Sequence, residues 1–101
     1  MVKLIALYTK PADPAAFDAH YRDVHMPLAA KMPGLRRMTV AKVTGSPGGE
    51  PRYYQVAELF FDDMNALTTA MKSPEGKAAA KDVMSFAGNI LHMMTADVTE
   101  R

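Results

Sequence analysis

Residues 17–37, FDAHYRDVHMPLAAKMPGLRR, hold His20, Tyr21, Asp23 and His25 within six consecutive positions, the densest titratable chemistry in the chain. An imidazole can take or give a proton near neutral pH, so His25 and His20 are candidates for general acid/base work. Tyr21, whose phenol needs a partner once buried, is a candidate to hydrogen-bond a substrate oxygen. On an ideal helix Phe17, Tyr21, Val24 and Leu28 share one narrow docking sector, while the two histidines lie on its opposite margins, about 140° apart. That separation prevents the pair from chelating one metal ion as an i, i+4 pair would, and no third ligand is at hand, so no metal is expected. Pro27 cannot donate to the carbonyl of Asp23 and its ring crowds that turn. A break is expected near Met26, with Pro27 opening a short second helical piece and His25 beside the bend. His25 is the histidine assigned to a cavity; His20 reads also as a solvent-facing margin residue.

The remaining ligand-facing candidates are Tyr8, Met26, Glu58 and His92. Glu58 stands in an otherwise apolar strand, where it is a general base, a residue facing the solvent edge or, the expected reading, an ion-pair partner of Arg36, Arg37 or Arg52. His92 either reaches a pocket under the helices or faces a second subunit. Asp23, Lys81 and Asp82 read as solvated. There is no Ser-His-Asp order, no nucleotide fingerprint and no redox-cofactor motif, so no cofactor is expected.

The composition narrows the classes of function. Twelve basic residues against eleven acidic ones, scattered along 101 residues, give no support for a nucleic-acid or membrane-surface partner. The absence of cysteine excludes disulfides, thiolate nucleophiles and thiolate metal sites. The apolar run Leu4–Tyr8 is too short for a signal or a membrane span, so a soluble cytoplasmic protein is expected. Nine methionines and no tryptophan suit an adaptable interior able to line an apolar ligand site.

The elements that must position the candidates follow from periodicity and punctuation. Val2–Tyr8 is a strand with apolar residues on both alternating sets, hence covered on both faces. Asp13-Pro14 caps the organising helix, which runs to about Lys31, and Pro33-Gly34 turns the chain. Leu35–Thr44 and Tyr53–Phe61 are strands joined through the turn-rich loop 45–51. Asp62-Asp63 caps a helix over Met64–Met71; Ser73-Pro74 starts another that stops at Gly88, and Ile90–Val98 forms the last strand. The order β-α-β-β-α-β defines an α+β, ferredoxin-like domain over residues 1–101, with a four-stranded antiparallel sheet covered by helices on one face. Because Val2–Tyr8 and Tyr53–Phe61 are apolar on both sides, the other face needs a partner, and a homodimer packing sheet on sheet is the economical one.

The opening VKLIALYTKPADPAAFDAHYRDVHMPLAAKMPGLRR, the stretch YYQVAELFFDDMNALTTAMKSPEGKAAAKDVMSFA and Asp97 together resemble the EthD family. The likeness rests on a phenylalanine, a His-Tyr pair, a second histidine before Pro-Leu and a Pro-Gly-Leu turn, and it covers nearly the full chain. It implies a dimeric α/β-barrel with a small-molecule cavity between helices and sheet in each subunit. By that resemblance His20, Tyr21 and His25 match positions characteristic of the family, and His25 is the one assigned to the cavity. Related barrels include cyclases, isomerases, monooxygenases and decarboxylases that work mostly without cofactors, and EthD proteins themselves are often labelled reductases. The function expected from these features is cofactor-free proton-transfer chemistry on an apolar oxygenated or aromatic metabolite. The alternative is a non-catalytic protein that holds a hydrophobic metabolite for a partner enzyme.

Overall fold

The alternation that makes Val2–Tyr8 a two-sided strand places it inside the sheet rather than at its rim. In a computed structural model of the chain, which describes residues 1–100, β1 (Val2–Tyr8) lies between β3 (Gln55–Phe61) and β4 (Leu91–Asp97). β2 (Arg37–Lys42) closes the far edge, in the order β2-β3-β1-β4 with every pairing antiparallel. The α+β, ferredoxin-like arrangement expected from the element order is the one observed.

Helix starts are set by local chemistry. Asp13, Asp63 and Ser73 each accept a backbone N–H three residues on, opening α1 (Pro14–His20), α3 (Met64–Lys72) and α4 (Pro74–Ala87). Gly34 turns the chain toward β2 with φ at +79°, a conformation that favours glycine. Gly76 lets α4 approach the end of α3, because a Cβ there would lie 2.0 Å from the carbonyl oxygen of Ala70. That contact sets the height of α4 over the sheet.

The short second helical piece expected at Pro27 is present, but the break expected near Met26 is a change of helix type rather than an end of the helix. After α1 the chain continues through one π-helical turn, Tyr21–His25, directly into α2 (Met26–Ala29), and the backbone keeps right-handed helical angles at both joins. The N–H of Met26 reaches back to the carbonyl of Tyr21, an i→i−5 bond. Widening the turn ahead of the proline accommodates its missing N–H without ending the rod.

Side chains of β1 alternate between two environments. Val2, Leu4, Ala6 and Tyr8 are buried under the helices, whereas Lys3, Ile5 and Leu7 point to the face that carries no helix. Cross-strand rows on that second face read Ala41–Val56–Leu7–His92, Thr39–Glu58–Ile5–Met94 and Arg37–Phe60–Lys3–Ala96. Under the helices the core divides in two. One cluster gathers Val2, Leu4, Met32, Leu59, Phe61 and Leu67, the other Tyr8, Phe17, Tyr21 and Val83. Between them the sheet presents the paired alanines Ala6 and Ala57, and α4 presents Gly76, Ala79 and Ala80. Side chains this small cannot fill the gap between helix and sheet, so the seam stays open.

Candidate functional site

The open seam is a cavity of about 150 Å³. Its floor is Ala6 and Ala57, and its rim includes Met84 and Met93, which are partly exposed. Among the described residues that line it, only Tyr8, Tyr21 and His25 have polar side-chain atoms.

The π-turn determines which way the imidazoles point. An ideal α-helix would hold His20 and His25 about 140° apart, but a turn closed by an i→i−5 bond brings residues five apart onto one side. Both rings then meet Asp82 of α4: His20 Nε2 lies 2.9 Å from Oδ1 and His25 Nδ1 3.0 Å from Oδ2. A carboxylate only accepts, so His25 donates through Nδ1–H, which leaves Nε2 as the free lone pair of the neutral ring. Nε2 has no hydrogen-bond partner among the described residues, and His25 lines the cavity. Phe86 packs against both rings, with centroids 4.3 Å from His20 and 5.6 Å from His25.

Burial divides the two histidines. The His25 side chain is 9% exposed and Asp82 14%, against 35% for His20, which borders an outer groove near Asp13, Phe17 and Asn89. Burial is the largest influence on His25 and holds its pKa below the ordinary histidine value; Asp82 opposes that shift and His20 reinforces it. The Tyr21 ring lies tilted against that of His25 with centroids 5.1 Å apart, and its phenol is pushed up to about 12, chiefly by burial. Tyr8 is raised further still by burial and then by Tyr21. Both phenols therefore remain protonated donors at neutral pH.

The fold gathers His20, Tyr21, His25 and Tyr8 but leaves other candidates elsewhere. Met26 packs against the aromatic cluster without lining the cavity. Glu58 and His92 stand on the helix-free face. Glu58 pairs with Lys3 at 2.5 Å rather than with an arginine; Arg36 instead grips Asp62 through two bonds of 2.8 and 2.9 Å. His92 lies edge-on to Tyr53 at 6.2 Å. Asp82, expected to be solvated, is the residue that sequence reasoning missed. Its signal was present, since Ala79, Val83 and Ala87 mark the buried stripe of α4 and Asp82 sits beside Val83 on the flank of that stripe. No cluster of three or more potential metal ligands occurs among the described residues, and no helix there is long and apolar enough to cross a membrane.

A family model described as the EthD domain matches residues 9–89. An EthD-family protein from Bacillus halodurans is 49% identical over 98% of this chain and 99% of its own, with a TM-score of 0.95. An uncharacterised 11.0 kDa protein from the thcB-thcC intergenic region of Rhodococcus erythropolis is 38% identical over 96% of this chain and 94% of its own length. SnoaB from Streptomyces nogalater, a cofactor-independent oxygenase, shares the fold with a TM-score of 0.72 at 17% identity, over 99% of this chain and 94% of its own. Sequence and fold agree over almost the whole length: the chain belongs to the EthD family.

Proposed function

We propose that this protein is a small-molecule enzyme that moves protons with its own side chains. The observation that carries this reading is a buried imidazole, His25, which lines an apolar cavity with its Nδ1–H held by Asp82 and its ring 5.1 Å from that of Tyr21, a second lining residue. A base and a hydrogen-bond donor so placed are the two groups needed to remove a proton next to a carbonyl and to stabilise the oxygen that gains charge. The carbon–hydrogen bond breaks toward His25 Nε2, its electron pair forms the carbon–carbon double bond, and the carbonyl oxygen takes a stronger hydrogen bond from Tyr21. Asp82 stabilises the imidazolium that forms and fixes its orientation. Returning the proton to carbon restores the enzyme. SnoaB, with the same fold, is a cofactor-independent oxygenase, so this architecture is compatible with chemistry done by side chains and substrate alone.

The protein is further proposed to act as a homodimer. Ile5, Leu7, Val56 and Met94 leave an apolar surface on the helix-free face, and a second copy of the same sheet is its natural cover.

The test of the enzymatic reading is incorporation of deuterium from D2O into small enolisable ketones, followed by NMR. Native protein should catalyse exchange at the carbon next to the carbonyl, and His25→Gln should lower the rate by about 10²-fold or more. Exchange that is unchanged in a folded His25→Gln protein would remove His25 as the base. Retention of an unaltered ligand without any exchange would favour the binding-protein alternative.

A further inference from the structure

We infer that the cavity selects an uncharged carbonyl compound of about one six-membered ring and turns away carboxylates of the same size. This rests on the proposed proton-transfer site and names the substrate class that site accepts.

Size sets the first limit, since a void of about 150 Å³ is the scale that accommodates benzene. Charge sets the second. No lysine or arginine lines the cavity among the described residues, and the polar groups that do are two phenols and one imidazole. Burial holds that imidazole toward its neutral form, so an anion would find no counter-charge. The Asp82 carboxylate, held against the His25 ring at 3.0 Å, repels an anion. The hydrogen-bonding inventory sets the third. Tyr21 offers a donor and His25 Nε2 a lone pair, so the matching ligand carries a carbonyl oxygen that accepts and, on the carbon next to that carbonyl, a hydrogen that can leave as a proton. A ketone or aldehyde with an adjacent C–H meets both demands. A phenol has the shape of the corresponding enol and presents donor and acceptor on one oxygen, so it should bind at least as well.

Two neutral probes, cyclohexanone and phenol, are titrated into isotopically labelled protein at pH 7.5 beside benzoate, with benzamide as the neutral control for the larger size of benzoate. The expected result is saturable shifts of the Tyr21 and His25 signals with both neutral probes, and binding of benzoate at least about tenfold weaker than that of benzamide, as an unpaired charge in an apolar site requires. Benzoate binding as tightly as benzamide would overturn the inference, as would neutral probes that leave the Tyr21 and His25 signals unmoved. Binding is measured here independently of turnover. Neutral probes that bind in this order, with no deuterium entering cyclohexanone, would uphold the selectivity and defeat only the proton-transfer reading.

Discussion

His20 and His25 hold opposite oxygens of a single carboxylate, with His20 at Oδ1 of Asp82 and His25 at Oδ2. One ring borders the outer groove and the other the apolar cavity, and Asp82, which does not line that cavity, holds the buried imidazole in place.

That arrangement makes Asp82→Asn informative. An amide has one accepting oxygen and one donating nitrogen, so it cannot accept from both rings. His25 loses its charged support and the bond that selects its tautomer. Exchange activity should fall by about 10²-fold or more, with the cavity intact and neutral probes still bound. Nitrogen NMR of the imidazoles supplies the second readout: His25 should be protonated at Nδ1 in the native protein and lose that preference in the variant. An unchanged tautomer would show that Asp82 only packs.

The fall in His25 pKa has a direct consequence for stability. The folded protein keeps His25 neutral at pH values where the unfolded chain, at an ordinary value of about 6.5, already binds a proton. Between those two values the unfolded state holds more protons, so stability rises with pH through the window and falls as pH drops through it. The contribution is complete above about pH 6.5. Urea unfolding at a series of pH values between 5 and 8 should therefore show a steeper acid-side decline for the native protein than for His25→Gln. Equal slopes would mean that burial does not govern His25.

Much of this architecture was legible in the sequence because it rests on local chemistry. The caps Asp13, Asp63 and Ser73, the turn at Gly34 and the two-sided alternation of Val2–Tyr8 each have one strong structural meaning, and the fold follows from their order. The site was legible only in part. Periodicity at 3.6 residues per turn separates His20 from His25, and nothing local announces that the turn before Pro27 widens into a π-turn. The partner Asp82 lies 62 residues from His20 along the chain, so its role depends on where α4 crosses, which the Gly76 contact with α3 sets. Glu58 illustrates the same limit. Its charge called for a cation, and register sets Lys3 and Arg37 on the two sides of Phe60, each diagonal to Glu58; Lys3 makes the ion pair while Arg37 lies over the Phe60 ring.

The helix-free face gives a prediction about assembly. Leu7 sits there in a row with Ala41, Val56 and His92, away from the cavity. In a sheet-on-sheet dimer its replacement by glutamate buries a charge without a partner. Light scattering coupled to size-exclusion chromatography should give a two-subunit mass for the native protein and a shift toward one subunit for Leu7→Glu, with the circular dichroism of the fold retained. A native protein that is monomeric throughout would show that this apolar surface has another role.

The alanine floor permits a sharper test of the cavity itself. Ala57 is 1% exposed, pairs across the sheet with Ala6, and faces the void beneath α4. Replacing it with leucine adds three carbons where the structure already has room, so the usual penalty for overpacking a core is relieved by the volume available. Stability measured by urea unfolding should change by no more than about 1.5 kcal/mol. Probe binding should nevertheless be lost, because the added side chain occupies the space next to Tyr21 and His25. The His25–Asp82 hydrogen bond lies behind the imidazole, outside the filled volume, and should survive with its tautomer signal unchanged. A stable Ala57→Leu protein that still bound phenol at native affinity would show that the ligand sits elsewhere. One that lost several kcal/mol of stability would show that the seam is closed in solution.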